Sequence, residues 1–311
     1  MRGDQNHGTP PDGHKLARPR ILIVGCGDVG LRIAQLLGPR YALFGTTRQH
    51  SQFERLRNAG VRPIHADLDD PNSLWRLRGL ARSVIHLAPP PLSGRHDTRT
   101  RHLVCALGRV QRLVYISTSG VYGDCGGALI DETHWPRPES ERGMRRLDAE
   151  RTLRHWARQS GAQLSILRVP GIYAGERLPI ARIKSRTPAL LEEEDVYTNH
   201  IHADDLARIS VAALQRGAPQ RVYHASDDSR LRMGDYFDLV ADHFALERAP
   251  RVGRALLAAR VSEASYSFMR ESRRLDNTRL KAELAVTLHY PEVRDGLRAL
   301  TPPCVEVTAR G

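Results

Sequence analysis

Residues 21–24, Ile-Leu-Ile-Val, form a short unbroken apolar run, the mark of a strand covered on both faces. Past a cluster of glycines, Val29, Ile33, Leu36 and Leu37 recur at helical spacing and define one apolar face. Gly38-Pro39 ends that helix. The alternation then repeats. Residues 41–44, 61–64, 83–87, 113–117 and 163–168 predict further strands, and residues 53–56, 72–80 and 102–107 predict helices. Asp70-Pro71 offers an N-cap and a first helical residue for the segment 72–80. Ala149, Leu153, Trp156 and Ala157 give a long helix its buried face. Strand–helix repetition from residue 20 to about 168 predicts an α/β fold on a doubly wound parallel sheet. Ligands of such a sheet gather along the edge made by the strand C-termini.

Composition narrows the classes. The formal charge is +12, yet only three of the 47 basic residues are lysines (Lys15, Lys184, Lys281). The arginines are scattered, and no nucleic-acid-binding signature accompanies them, so a solvated arginine-rich surface is expected and no specific nucleic-acid partner. No apolar run approaches the roughly 18 residues of a membrane helix. The start of the chain lacks the apolar core of a secretory signal. The four cysteines, Cys26, Cys105, Cys125 and Cys304, lie far apart and form no metal or disulfide framework. A cytoplasmic protein without membrane or metal is the expectation.

The first chemical motif is Gly25-Cys26-Gly27-Asp28-Val29-Gly30, a G-x-G-x-x-G between an apolar strand and an amphipathic helix. In that context it predicts a dinucleotide cradle. Gly25 permits the turn, Gly27 lets a pyrophosphate approach the backbone, and Gly30 allows close helix–sheet packing. The N–H groups around Asp28 and Val29 open the helix toward the phosphates. Thr47 and Arg48 stand at the end of the second strand, and no acid precedes Glu54. A carboxylate there would repel a 2′-phosphate, whereas a hydroxyl and a guanidinium would bind it, so NADP(H) is preferred and NAD(H) is the alternative. Asp67 and Leu68, after the third strand, are placed to meet the adenine, with a plain turn as the competing reading.

The expected division is therefore a polar, disordered extension (residues 1–18), a dinucleotide-binding domain (19–170) and a smaller mixed substrate lobe (171–311). Residues 199–215 are expected to pack back on the first domain.

The second motif is residues 114–124, Val-Tyr-Ile-Ser-Thr-Ser-Gly-Val-Tyr-Gly-Asp, a strand ending in three hydroxyl residues and a Val-Tyr-Gly turn. With the glycine cradle, residues 84–88, Asp131-Glu132, Leu167-Arg168, Gly171-Ile172-Tyr173 and residues 199–206, the chain resembles the atypical or extended short-chain dehydrogenase/reductases, the NAD-dependent epimerase/dehydratase family. The likeness runs over residues 20–300. It implies a Rossmann-like fold and hydride transfer at a carbonyl or hydroxyl carbon of a small molecule, such as a nucleotide-sugar-like substrate. It leaves a homodimer open. It also implies cofactor contacts from Leu87, Ala88 and Pro170, and it puts the family's catalytic Ser/Thr on Thr118. The segment 199–206 resembles a structural turn in which Asp204 or Asp205 caps the next helix.

One piece of the family pattern is missing. The resemblance calls for Tyr-x-x-x-Lys, but residues 123–172 hold no tyrosine and residues 16–183 no lysine. Taking Glu150 as landmark, the Tyr and Lys places fall on Arg142 and Arg146. Arg146 could hold the ribose as a cation. Arg142 cannot donate a proton near neutrality. Losing positioned acid–base help is worth about 10²–10⁴ in rate. Two repairs are open at this level: Tyr122 as the acid, or a water relay through Thr118. The alternative is a sensor or scaffold that binds NADP(H) without turnover.

Overall fold

The alternation of apolar residues along β1 (Arg20–Val24) shows why its run is continuous. In the computed structural model, which describes residues 18–300, Ile21 and Ile23 enter one core and Leu22 and Val24 the other. The extension expected at residues 1–18 lies, except for Arg18, outside the described residues. The glycine-led helix α1 (Asp28–Leu37) buries Val29, Ile33, Ala34 and Leu37 against the first of these cores.

β1 is central to a seven-stranded sheet. The others are β2 (Ala42–Thr47), β3 (Val61–His65), β4 (Ser83–His86), β5 (Arg112–Thr118), β6 (Gln163–Val169) and β7 (Arg221–His224). Their spatial order is β7-β6-β5-β4-β1-β2-β3, and every neighbouring pair is parallel. The chain winds outward from β1 to β3, then returns to place β4 on the other side of β1. That reversal opens a crevice beyond the C-termini of β1 and β4, where open α/β sheets bind ligands.

Helices cover both faces, and the short α2 (Phe53–Asn58) adds Leu56 to the first core. α3 (Thr98–Ala106) and α4 (Glu141–Ser160) pack Leu103, Ala149, Leu153 and Ala157 against Leu22, Val84 and Leu113. On the opposite face α5 (Ala203–Arg216) lies along α1, so residues late in the sequence close the first core. β7 likewise joins the sheet from beyond residue 170. A separate core forms among Tyr173, Leu190, Phe237, Val240 and Leu297, around the helix α6 (Met233–His243). Among the described residues no helix is long and apolar enough to cross a membrane.

The segment expected as a helix over residues 72–80 is a 3₁₀ turn, Pro71–Leu77. Asp70 does cap it, accepting from the Asn72 N–H at 3.0 Å. The Ser73 hydroxyl, however, donates to the carbonyls of Asp67 and Asp70, at 2.9 and 2.8 Å. Such local side-chain bonds compete with an α-helical ladder and hold the tighter turn.

Candidate active site

The crevice beside β1 is built by close backbone approach. Gly25 has φ +79°, and a Cβ there would lie 2.7 Å from the Ala88 nitrogen. Its N–H donates to the Thr46 Oγ1 at 2.9 Å, and the Cys26 N–H donates to the Thr46 carbonyl at 3.0 Å. Gly30 packs against Ile23 and Leu87, whose side-chain carbons would both be 3.2 Å from a Cβ. Gly27 differs: a Cβ on it would meet nothing within 4 Å.

That open face looks into a cavity of about 400 Å³ lined by Gly25, Gly27, Thr47, Arg48, Asp67 and Ala88, with Leu68 beside them. α1 has no side-chain cap, so its first N–H groups lack protein partners of that kind. The cradle therefore fits a diphosphate. The Asp28 carboxylate turns away from it and accepts from Arg32 at 3.0 Å and Arg177 at 3.1 Å. Only the backbone of Asp28 is left for a ligand, and Val29 is core. Arg55 and Arg99 also line the cavity, and neither follows from a motif. Arg99 grips Asp69 with bonds of 2.7 and 2.6 Å, which hold that carboxyl below its usual range. Arg48 makes only a loose 3.8 Å pair with Asp69. Cys26 is buried, which pushes its thiol up to about 12 and makes it a packing residue.

A second cavity, about 500 Å³, opens past the ends of β5 and β6. Thr118, Arg142, Arg146, Pro170, His200 and Tyr236 are on its wall. The Thr118 Oγ1 accepts from the Gly120 N–H at 3.2 Å, which leaves its own proton free to donate. Arg146 donates through Nη1 to the Ile116 carbonyl at 2.8 Å and the Tyr115 hydroxyl at 3.1 Å, with a longer contact of 3.5 Å to the Ala88 carbonyl. One guanidinium thus touches the hydroxyl-bearing strand and the wall of the cradle. His200 is held neutral by burial, its pKa pushed down to about 3.

Tyr122 lines neither cavity, which corrects its expected role as a proton donor. It is buried, and its hydroxyl lies 2.7 Å from the Arg168 Nη1 and 2.5 Å from the His224 Nε2. Burial lifts its pKa to about 12. Burial also lowers His224 to about 3, and the His224 Nδ1 is 2.9 Å from the Asp276 carbonyl. A neutral imidazole donating there accepts the Tyr122 proton at Nε2. The Val-Tyr-Gly turn points its tyrosine into the protein because the partners that satisfy it are inside.

The segment after Asn199 needs a second correction. His202, not an aspartate, caps α5, its Nδ1 accepting from the Asp204 N–H at 3.2 Å. Asp205 is buried and accepts from the His289 and Tyr290 N–H groups at 2.9 and 2.8 Å. It ties residues 289–290 to α5. Among the described residues no group of three or more His, Cys, Asp and Glu could hold a metal ion.

The same span carries the likeness to known proteins. The model of the NAD dependent epimerase/dehydratase family matches residues 21–225. No curated protein matches the chain. Among solved structures, a functionally unknown conserved protein from Silicibacter pomeroyi DSS is 26% identical, with a TM-score of 0.76 over 91% of this chain and 98% of its own. The UDP-glucose 4-epimerase of Thermotoga maritima, solved with UDP-glucose, is 20% identical, with a TM-score of 0.72 over 90% and 96%. The UDP-glucuronic acid 4-epimerase of Bacillus cereus, solved with NAD, is also 20% identical, with a TM-score of 0.70 over 90% and 96%. The two epimerases bear on the fold alone. The family model spans well over half the chain, from the first strand through the glycine turn and the Thr118 strand to the end of β7, and the chain belongs to the NAD-dependent epimerase/dehydratase family.

Proposed function

We propose that this chain binds NADP(H) in the glycine cradle and acts by hydride transfer on a carbonyl or hydroxyl carbon of a small molecule in the neighbouring cavity. The observation that carries the reading is Arg146, whose Nη1 reaches from the β5 backbone beside Thr118 toward the Ala88 carbonyl on the cradle wall. The dinucleotide, when bound, supplies a hydride donor or acceptor. The chain's own part is to hold and orient. Gly27 and the first N–H groups of α1 would take the diphosphate, and Arg146 would take the ribose in place of the missing lysine. Arg48, with Thr47 and Arg55 near it, would accept a 2′-phosphate, which is the basis for preferring NADP(H) over NAD(H). Asp67 and Leu68 would border the adenine, and Pro170 the nicotinamide end. Thr118 would hydrogen-bond a substrate oxygen and relay a proton to it from water, its hydroxyl regaining from the water the proton it passes on. Residues 171–311, as a substrate lobe, would supply the far wall. A nucleotide-sugar-like substrate is in keeping with the family.

The second reading, a non-catalytic NADP(H) sensor or scaffold, is favoured by one observation: the tyrosine of the Val-Tyr-Gly turn, Tyr122, has its hydroxyl committed to Arg168 and His224. Rapid-mixing measurements of NADPH oxidation with a panel of carbonyl compounds separate the two. Oxidation of NADPH by at least one compound, lost in Thr118→Val, supports the enzyme. Tight NADPH binding with no oxidation across the panel supports the sensor.

A further inference from the structure

Arg142 stands at the place where the family resemblance puts a proton-donating tyrosine, and its surroundings are unusual for a cation. It enters the larger cavity from the first turn of α4, with its Cζ 3.9 Å from the centre of the Phe268 ring. It has no hydrogen bond or ion pair among the described residues. The cavity wall carries four arginines, Arg142, Arg146, Arg182 and Arg273, against one carboxylate, Glu271. Glu271 is already taken by Arg273 at 2.9 Å. Arg146 reaches carbonyls and the Tyr115 hydroxyl, and Arg182 reaches the Pro188 carbonyl, the Met269 sulfur and the face of the Phe237 ring, none of which carries a negative charge.

Three further features mark the site as electropositive. The N-terminus of α4 presents the positive end of a 20-residue helix. Arg142 and Arg146 are four residues apart, an arrangement of like charges that destabilises a helix. Burial and the neighbouring arginines also push the pKa of Arg142 down, against the pull of Glu271. A wall of this kind is short of negative charge. A guanidinium whose N–H fork is unclaimed matches a planar or tetrahedral oxyanion, and a fully hydrated alcohol or ketone gives it nothing equivalent.

We infer that the cavity takes a substrate bearing a compact oxyanion, a carboxylate or a phosphate, gripped by Arg142 next to the reacting carbon. The inference rests on the reading that the reaction takes place between Thr118 and the bound dinucleotide. In it, Arg142 does not replace the tyrosine as an acid. It replaces a neutral substrate contact with an ionic one and so narrows the substrates to anions.

The test is calorimetric titration of the full chain with oxalate and, separately, inorganic phosphate, with and without saturating NADP⁺. At least one anion binds, and Arg142→Gln weakens it by about tenfold or more, the worth of a charged hydrogen bond. Arg142→Lys, which keeps the charge and loses the fork, falls between. The stronger anion identifies the group. Failure of both anions to bind, or equal binding to Arg142→Gln, overturns the inference. Thermal melts of the unliganded variants give an independent readout. Removing an unbalanced cation leaves the melting temperature of Arg142→Gln unchanged or higher, and a fall of several degrees would make Arg142 a structural prop for Phe268 and overturn the inference. An NADPH titration on the same samples separates the two claims. If NADPH does not bind, the cofactor reading fails, while anion binding that depends on Arg142 without nucleotide still stands.

Discussion

The Arg168 guanidinium holds the Glu150 carboxylate with two parallel bonds, Nε to Oε1 at 3.1 Å and Nη2 to Oε2 at 2.8 Å, in the interior behind the sheet edge. Ser117 donates to the same Oε1 at 2.5 Å, and Arg168 also reaches Tyr122. The pair therefore joins β5, β6, α4 and the Val-Tyr-Gly turn. Removing one partner of such a pair strands a buried charge. Glu150→Gln should lower unfolding free energy by about 3–5 kcal/mol. The double variant Glu150→Gln/Arg168→Met should lose much less than the two single losses added together. Urea melts of the three variants measure both, and additive losses would show that the groups are not coupled.

The two glycines at the head of the cradle should separate stability from binding. Gly25→Ala forces a side chain into a positive-φ position against the Ala88 backbone, and should cost about 1–3 kcal/mol or more in stability. Gly27→Ala meets open space, so its melting temperature should stay near that of the parent. Its methyl group would instead stand where a diphosphate approaches. Weaker NADPH binding by Gly27→Ala, without loss of stability, is the expected pattern. Thermal melts paired with NADPH titrations check it, and unchanged binding would remove Gly27 from the cradle.

Arg48 should decide between the two dinucleotides. Its pairing with Asp69 is loose, so little of the fold depends on it. Arg48→Ala should weaken NADPH by about tenfold and leave NADH nearly unchanged. Competition titrations with both nucleotides measure the ratio. Equal weakening of the two would take Arg48 away from the 2′-phosphate.

Acid should destabilise the protein before its carboxylates titrate. Burial holds His86, His200 and His224 at about 3, below the ordinary imidazole value. In the unfolded chain each takes up a proton near pH 6.5, and in the folded chain it does not. Their stabilising contribution is thus complete above the unfolded value and is lost as the pH falls from about 6.5 toward 3. Each imidazole contributes a slope of up to about 1.4 kcal/mol per pH unit in that window. Urea melts at pH 7 and pH 5 should differ by several kcal/mol, and equal midpoints would contradict neutral buried histidines.

Much of this site was legible in the chain because it depends on local spacing. Gly25, Gly27 and Gly30 are read from a turn between a strand and a helix, and Thr118 from a run of hydroxyls at a strand end. What escaped the sequence depends on contacts between distant residues. β7 is only four residues, Arg-Val-Tyr-His, too short to declare itself. Gly45 has to be glycine because a Cβ there would lie 2.8 Å from Val61 and 2.9 Å from Cys26, both on neighbouring segments. Arg55 and Arg99 reach the cradle from helices with no phosphate motif. The inward turn of Tyr122 is set by Arg168 and His224, residues 46 and 102 positions away. No local pattern encodes such partners.

The proposed function depends above all on the open face of Gly27 receiving a nicotinamide dinucleotide. Fluorescence titration of the purified chain with NADPH tests that most directly. Saturable change in nicotinamide emission, weakened in Gly27→Ala and competed by NADP⁺, is the expected result. Emission that stays that of free NADPH up to millimolar concentration would contradict it.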